Sequence, residues 1–137
     1  QLGDLGFGAC RFVVAEPRSK AGAAEGAYAW RGTVRVATKY PRITQGYYDS
    51  IGQQVYIVSL HGNIELGPLV GMTDRLVDIA ATGTTLREND LVIVAEVMEC
   101  TARFFASPAA YRSDERIRDL AGRLARACAR LGAEGEE

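Results

Sequence analysis

Leu76-Val77-Asp78-Ile79-Ala80-Ala81-Thr82-Gly83-Thr84-Thr85-Leu86-Arg87-Glu88-Asn89 is the segment around which the rest of the chain is arranged. It opens as an apolar, β-branched run, which is typical of a buried strand, and then breaks into small and hydroxylated residues around Gly83. Thr85 and Glu88 have the spacing of a capping box, which predicts a helix that begins at Thr85 or just before it.

This order of strand, small-residue loop and helix N-terminus makes a candidate anion site. Free backbone N–H groups at a helix start can donate to an anion, and the helix dipole favours negative charge there. Gly83 lets the backbone approach a phosphate closely, and the neighbouring threonine hydroxyls add donors. Asp78, at the strand end, could accept hydrogen bonds from sugar hydroxyls beside that phosphate. Spacing alone fits an ordinary strand and capped helix equally well, so both interpretations stay open here.

Composition indicates an ordinary globular chain with a core of its own. The 137 residues suit one domain, and 47% of them are hydrophobic while 24% are charged. A net charge of −1 gives no electrostatic basis for binding nucleic acid or a membrane surface. No apolar run reaches the roughly 18 residues that a spanning helix needs. We therefore expect neither a nucleic-acid partner nor a membrane partner.

Hydrophobic patterning predicts alternating strands and helices. Strands are predicted at 10–15, 33–38, 55–60 and 76–80, helices at 43–51, 64–70 and from Thr85, an extended segment at 92–105, and an amphipathic helix at 114–131. Such alternation implies a parallel sheet with right-handed crossovers, whose ligands bind beyond the carboxyl ends of the strands. Thr38–Pro41, His61–Glu65 and Ala81–Thr85 should therefore converge.

Three blocks of the chain resemble ATP phosphoribosyltransferase, the first enzyme of histidine biosynthesis. Asp78-Ile-Ala-Ala-Thr-Gly-Thr-Thr-Leu-Arg-Glu-Asn89 is similar to the phosphoribosyl pyrophosphate loop of that family. Gly62-Asn-Ile-Glu-Leu-Gly-Pro-Leu-Val-Gly71 and Arg35-Val-Ala-Thr-Lys-Tyr-Pro41 resemble two further blocks in the same order. The resemblance covers roughly Leu5 to Leu124, apart from one insert.

The resemblance implies an α/β, periplasmic-binding-protein-like (type II) two-lobed fold. Its sheet would be mostly parallel with flanking helices, with one lobe largely complete and the other partial. Residues 1–16 would be the end of lobe I and the crossover, 17–33 an exposed insert or loop, 34–95 lobe II with the phosphoribosyl pyrophosphate loop, and 96–137 the return to lobe I and the C-terminal helix. A missing N-terminal part would leave 10–15 and 92–105 without sheet neighbours and the chain by itself inactive.

The resemblance also implies a reaction, in which a phosphoribosyl group passes from phosphoribosyl pyrophosphate to ATP and pyrophosphate is released. The donor-binding residues would be Asp78, Ala81, Thr82, Gly83, Thr84 and Thr85. Mg²⁺ would be bound mainly through the substrate, with no ligand directly from the protein. The enzyme would be cytoplasmic. The short form of the family works in a homo- or hetero-oligomer with a regulatory subunit that resembles histidyl-tRNA synthetase.

Two further residues are candidates for contact with the substrate or a metal-bound water. His61 lies at a predicted strand end, but the family often has a small polar residue there. One histidine without a partner makes no catalytic constellation, which favours a structural or merely adjacent role. Glu65 opens a predicted helix, where it either improves the interaction with the helix dipole or orients the ribose or a magnesium-bound water. No catalytic residue is assigned.

Two alternative functions stay open. A type I phosphoribosyltransferase of another pathway also uses a strand, an acidic residue and a Thr-Gly-rich loop. Those enzymes typically carry two adjacent acidic residues, whereas Asp78 stands between Val77 and Ile79. The other alternative is a non-catalytic anion- or solute-binding module, because a fold does not determine its chemistry.

Overall fold

The computed structural model describes residues 1–134, which form two compact units. The larger unit is Cys10–Glu99, and the smaller one consists of Gln1–Ala9 with the chain from Cys100 onward. The end of the predicted segment 96–137, at 135–137, lies outside the described residues. Within the described part of the chain, no helix is long and apolar enough to cross a membrane.

Strands and helices alternate through the larger unit, as the sequence predicts. In chain order the elements are β1 (Gly3–Asp4), β2 (Cys10–Pro17), α1 (Ala23–Arg31), β3 (Val34–Thr38), α2 (Pro41–Ser50), β4 (Val55–Ser59), α3 (Leu66–Leu69), β5 (Arg75–Ala80), α4 (Thr84–Glu88), β6 (Leu91–Cys100), β7 (Arg103–Phe104), α5 (Pro108–Ser113) and α6 (Glu115–Glu134). The four strands predicted up to residue 80 are confirmed, with small shifts at their ends.

The larger unit is built on a five-stranded sheet in the order β4-β3-β5-β2-β6. Its parallel part is β4-β3-β5, where Val36 lies opposite both Ile57 and Arg75. The carboxyl ends of these three strands therefore meet at one edge of the sheet. The loops that follow Thr38, Ser59 and Ala80, the last residues of these strands, therefore begin at that edge.

The prediction that residues 10–15 and 92–105 lack sheet neighbours is wrong. β2 lies between β5 and β6 and runs antiparallel to β5, with Arg11 opposite Ala80 and Ala15 opposite Leu76. The strand is buried from Phe12 through Pro17 because both of its faces are covered. β6 pairs with β2 at the edge of the sheet, and Arg103 and Phe104 in β7 pair with β1 in the smaller unit.

The insert predicted as a loop at 17–33 is largely a helix. After the 3₁₀ turn Arg18–Lys20, α1 occupies Ala23–Arg31. Gly22 and Gly32 bound it, with φ of 81° and 70° in the left-handed region that glycine tolerates best. The alanines that gave this segment its low-complexity appearance are strong helix formers. The predicted exposure does hold for most of the helix, and Trp30 is 85% exposed.

The core of the larger unit attaches the loop helices to the sheet. A buried cluster joins Val13, Ala15, Ala37, Ile64, Leu76, Ala80, Leu86 and Leu91. Ile64 just before α3 and Leu86 in α4 belong to this cluster, and they are 0% and 5% exposed. The short helices that follow β4 and β5 are thus held against the sheet by buried residues, with Ile64 and Pro68 at α3 and Leu86 in α4.

The smaller unit combines a two-stranded antiparallel sheet with two helices. Gly3 pairs with Phe104, and Asp4 pairs with Arg103. α5 begins at a proline after Ser107, whose Oγ accepts a hydrogen bond from the Ala110 N–H at 3.1 Å. The amphipathic helix predicted at 114–131 is confirmed as α6, although its backbone continues through Gly132 to Glu134.

A single methyl group added at Gly67 should lower the stability of the protein measurably. A Cβ there would lie 2.9 Å from Ala37 Cβ and 3.0 Å from Thr73 Oγ1. We expect Gly67→Ala to lower the free energy of unfolding by about 1–3 kcal/mol, because this overpacks a buried contact. Gly46→Ala is the matched control, since its Cβ meets nothing within 4 Å and alanine stabilises a helix interior by about 0.5–1 kcal/mol. Urea denaturation compares the two, and equal stabilities would contradict the packing.

Candidate functional site

The loop from β5 to α4 is shaped by its glycine. Gly83 is buried, has a φ of 72° and directly precedes the first helical residue, Thr84. The capping box predicted for Thr85 and Glu88 does not form, since no side chain caps α4. Gly83 occupies the N-cap position instead, and its left-handed backbone turns the chain into the helix at Thr84.

The threonine side chains of the loop face one another. Thr82 Oγ1 and Thr84 Oγ1 lie 2.8 Å apart, and the Thr84 N–H donates to Thr82 Oγ1 at 3.4 Å. Both residues are exposed, as is Thr85. The loop therefore presents adjacent hydroxyl groups next to the first amides of α4, as a site for an oxyanion requires.

Arg87 adds a positive charge that the sequence analysis missed. Its Nη2 donates to Thr84 Oγ1 at 3.2 Å, and its Nη1 lies 3.6 Å from the position that a Gly83 Cβ would occupy. The signal was available, because residues three apart in a helix share a face. α4 has only five residues, so its dipole is smaller than that of a full helix and the guanidinium becomes a larger share of the local charge.

A cavity of about 240 Å³ opens over this loop. Its lining joins Glu65 to the continuous run from Asp78 to Leu86. The candidate residues Asp78, Ala81, Thr82, Gly83, Thr84 and Thr85 all lie in that run. The predicted candidates from two segments of the chain, before α3 and after β5, are therefore brought to one concave surface.

Asp78 is the electrostatically unusual group of this cavity. Burial raises the pKa of its carboxyl above the ordinary value, while the Ile79 N–H and the charge of Lys39 oppose that shift and Glu65 adds to it. Asp78 is half-buried, so its carboxylate is less well solvated than one at the surface. A group in this state gains from any hydroxyl donor that a ligand offers.

The segment that follows β3 supports the site from the side. Thr38 is fully buried, and its Oγ1 donates to the Val77 carbonyl at 2.8 Å and accepts from the Tyr40 N–H at 3.0 Å. These bonds tie the end of β3 to β5 one residue before Asp78. No residue of the predicted segment 38–41 is in the described lining of the cavity, and Lys39 acts on the site only through its charge, which opposes the raised pKa of Asp78.

Glu65 and His61 differ in position. Glu65 is half-buried and lines the cavity. His61 is exposed on the loop after β4 and lies outside the described lining of the cavity. Among residues 1–134, no three His, Cys, Asp or Glu side chains come together as a metal site. The cavity itself offers two carboxylates, from Glu65 and Asp78, and oxygen is the donor that Mg²⁺ prefers.

Taken together, the lining of the site combines hydrogen-bond donors for an anion with two carboxylate acceptors. The loop supplies amides, hydroxyls and a guanidinium, whereas Asp78 and Glu65 supply oxygen atoms that can accept from hydroxyl groups. A ligand that carries both a phosphate and free hydroxyls, such as a sugar phosphate, matches that arrangement. An inorganic anion alone would leave the carboxylates unused.

Known proteins share both the sequence and the fold. The family model HisG, ATP phosphoribosyltransferase, matches residues 1–126. ATP phosphoribosyltransferase of Rubrobacter xylanophilus is 50% identical over 112 residues, which make up 82% of this chain and 52% of that protein. The chain thus spans about half the length of the curated relatives it matches.

Solved structures give the same result. The ATP phosphoribosyl transferase (HisG:HisZ) complex from Thermotoga maritima matches with a TM-score of 0.77 and 32% identity, over 93% of this chain and 61% of that chain. A periplasmic binding protein of an ABC transporter from Brucella ovis matches in fold alone, with a TM-score of 0.55 and 10% identity over 73% of this chain and 34% of the other. The predicted periplasmic-binding-protein-like α/β fold is confirmed, with a mixed sheet. Because the family model covers nearly the whole chain, including every residue that lines the cavity, the chain belongs to the ATP phosphoribosyltransferase family.

Proposed function

We propose that the protein that contains this chain transfers a phosphoribosyl group from phosphoribosyl pyrophosphate to ATP, the first step of histidine biosynthesis. Family membership supports this reaction. The observation that carries it is the cavity over the β5–α4 loop, whose lining contains both hydrogen-bond donors to a phosphate and carboxylate acceptors. We place the enzyme in the cytoplasm, as the pathway requires.

The loop holds the 5-phosphate of the donor in this proposal. The amides from Thr82 to Thr85, the threonine hydroxyls and Arg87 donate hydrogen bonds to the phosphate oxygens. Gly83 leaves room for the phosphate because it has no side chain. Asp78 accepts from a ribose hydroxyl and so orients the sugar ring, and Glu65 contacts the ribose or a metal-bound water. His61 is proposed only as a neighbour of the substrate.

Transfer then depends mainly on alignment. A ring nitrogen of ATP forms a bond to the anomeric carbon of the ribose, and the bond from that carbon to pyrophosphate breaks, so pyrophosphate leaves with the electron pair. A leaving group of this quality needs little acid–base chemistry, and alignment of reactants can lower a barrier by about 7–11 kcal/mol. No residue of the chain is assigned as catalytic.

The oxygen atoms of Glu65 and Asp78 fit Mg²⁺, but two carboxylates do not complete its coordination. We propose that the metal binds mainly through the pyrophosphate oxygens of the substrate. When bound, Mg²⁺ supplies neutralisation of the charge that develops on the leaving group. Asp78 and Glu65 would reach it through water, while the loop donors continue to hold the phosphate at the other end of the donor.

A regulatory partner is part of the proposal. The complex from Thermotoga maritima pairs HisG with HisZ, and we propose a similar subunit, resembling histidyl-tRNA synthetase, for this protein. The assembly would be a hetero-oligomer, and inhibition by histidine would require the second subunit. Strong inhibition of the purified catalytic chain alone would contradict this part. We also keep 34–95 as lobe II and 96–137 as the return to lobe I as proposed domain boundaries.

Product analysis tests the reaction itself. With ATP, phosphoribosyl pyrophosphate and Mg²⁺, the protein that contains this sequence should release pyrophosphate and form phosphoribosyl-ATP in equal amounts. Release with another nitrogenous base and none with ATP would favour a phosphoribosyltransferase of a different pathway. Saturable binding of the donor with no release under any condition would favour the anion-binding module.

Asp78→Asn should separate binding from stability. The raised pKa means that the folded protein holds the Asp78 proton more tightly than the unfolded chain does. The contribution of this group to stability is therefore fully present below the unfolded pKa of about 3.9 and is lost as pH rises through the folded pKa. At pH 7 we expect Asp78→Asn to be at least as stable as the wild type in thermal unfolding, while calorimetry shows donor affinity lowered about tenfold or more. Unchanged affinity would exclude Asp78 from the site.

A further inference from the structure

A second cavity, of about 280 Å³, lies at the opposite edge of the sheet. Its lining comes from the 3₁₀ turn and α1, from the start of β3 and from the segment that leads into β5. β5 separates it from the β5–α4 loop, and a strand of that length spans roughly 17–20 Å. The cavity is therefore distinct from the site described above, and its charges need their own explanation.

Positive charge is in excess in this cavity. Arg31 Nη2 lies 2.5 Å from Asp74 Oδ2, and Arg35 Nη2 lies 2.9 Å from Asp74 Oδ1, so two guanidinium groups share one carboxylate. Lys20 also lines the cavity, and among the described residues it has no ion pair or hydrogen bond. Three cations thus face one anion. The ion pairs with Asp74 fix the two arginines while leaving guanidinium N–H donors over.

The other carboxylates close to this cavity in sequence, those of Glu16 and Glu25, already bind Arg75. Glu16 accepts from Arg75 Nε at 2.9 Å and from the Gly22 N–H at 2.7 Å. Glu25 forms an ion pair with the same arginine. Neither carboxylate lines the cavity. The excess charge at Lys20, Arg31 and Arg35 is therefore not balanced from within this part of the described chain.

Polar groups without partners point to the same ligand class. Thr73 lines the cavity and is only 2% exposed, yet its Oγ1 has no hydrogen-bond partner, and neither does the buried Nε of Arg31. A buried hydroxyl without a partner is costly, which favours a bound group that satisfies it. Ala23 and Ala24, at the start of α1, also line the cavity, and no side chain caps this helix. Its N-terminal amides are additional donors.

We propose that this cavity binds a small, doubly charged oxyanion of the phosphate class. Lys20 supplies an exposed charge, Arg31 and Arg35 supply donors that Asp74 holds in place, and Thr73 supplies its unpartnered hydroxyl. The alanine side chains of α1 leave the volume open for the anion. The proposal goes beyond the transferase function, because it concerns a second site that does not contact the donor loop.

Titration with inorganic phosphate tests the proposal, with the lysines as reporters. Lys20 and Lys39 are the only lysines of the sequence, and they lie at opposite edges of the sheet. In protein whose lysines carry ¹³C-methyl groups, the Lys20 signal should shift and saturate with phosphate, and chloride at equal ionic strength should not reproduce the shift. A Lys20 signal that does not shift, or that shifts without saturating as phosphate is added, would overturn the proposal.

Thr73→Val is the decisive variant. It removes the unpartnered hydroxyl at nearly constant shape, so the protein should remain folded and be at least as stable in thermal unfolding without phosphate. We expect the phosphate affinity read at Lys20 to fall about tenfold. Gly83→Val is the matched control, because it should leave the Lys20 titration unchanged whether or not the donor loop acts as proposed. A Thr73→Val protein that titrates like the wild type would exclude the site.

Discussion

Gly83→Val should lower the affinity for ribose 5-phosphate by about a hundredfold or more, since it displaces several charge-assisted hydrogen bonds worth about 1.5–3 kcal/mol each. A side chain at this position would meet Ile93 Cδ1 at 3.4 Å and Arg87 Nη1 at 3.6 Å. It would thus occupy the space beside the guanidinium that the phosphate needs. Isothermal titration calorimetry with ribose 5-phosphate measures the effect.

Gly52→Val controls for backbone strain in that experiment. Gly52 has a φ of 69°, close to the 72° of Gly83, and a Cβ there meets nothing within 4 Å. Both variants carry a β-branched residue in the left-handed region, so both should lose a similar amount of stability. Only Gly83→Val should lose affinity. Equal affinities for the two variants would remove the loop from the donor site.

Arg75→Met should be strongly destabilising, because it leaves a buried carboxylate without its cation. Arg75 is 8% exposed and Glu16 is 2% exposed, and their side chains form a hydrogen-bonded ion pair at 2.9 Å. Burial lowers the pKa of Arg75, but the hydrogen bonds with Glu16 and Glu25 outweigh it, so the pKa is raised overall. Removing the guanidinium leaves the Glu16 carboxylate buried with the Gly22 N–H as its remaining partner. We expect a loss of about 3–5 kcal/mol in urea unfolding.

The double variant Arg75→Met/Glu16→Leu separates the ion pair from packing. Replacing both partners by apolar residues removes the uncompensated charge, so most of the lost stability should return. Glu25→Gln is the surface comparison, because the Glu25 side chain is 61% exposed and exposed pairs contribute only about 0–1 kcal/mol. A double variant no more stable than Arg75→Met would show that the arginine acts through packing alone.

Local sequence determined the strands and the loop glycine, and these were predictable. The apolar run up to Ala80 predicts a buried strand, and a glycine just after it favours a tight turn; the structure has both, with Gly83 in the left-handed region. The predicted helix start, at Thr85 or just before it, is confirmed at Thr84, but the capping box suggested by the Thr85–Glu88 spacing does not form, because Gly83 occupies the N-cap position. Arg87 was missed although its spacing from Thr84 places the two residues on one helix face, because the prediction rested on the threonines and the glycine of the loop.

Pairing between distant segments was the part that sequence could not supply. β2 was predicted as a strand, but its place between β5 and β6 depends on contacts more than sixty residues away in sequence. Asp74 likewise joins residues that are distant in sequence, since Arg31 and Arg35 lie 43 and 39 residues away and meet it only after β3 and β5 pair. The prediction of a loop at 17–33 was wrong for a different reason. Its alanines were judged by their low complexity, whereas their helix propensity decided the structure.

Backbone amide NMR during titration with ribose 5-phosphate tests the central claim most directly, because it reports where the donor phosphate binds. We expect the amide signals of Thr82, Gly83, Thr84 and Thr85 to shift together and to saturate, with the same dissociation constant as that found by calorimetry. If these four signals stayed in place while amides elsewhere in the protein shifted and saturated, the loop would not be the phosphate site and the account would be contradicted.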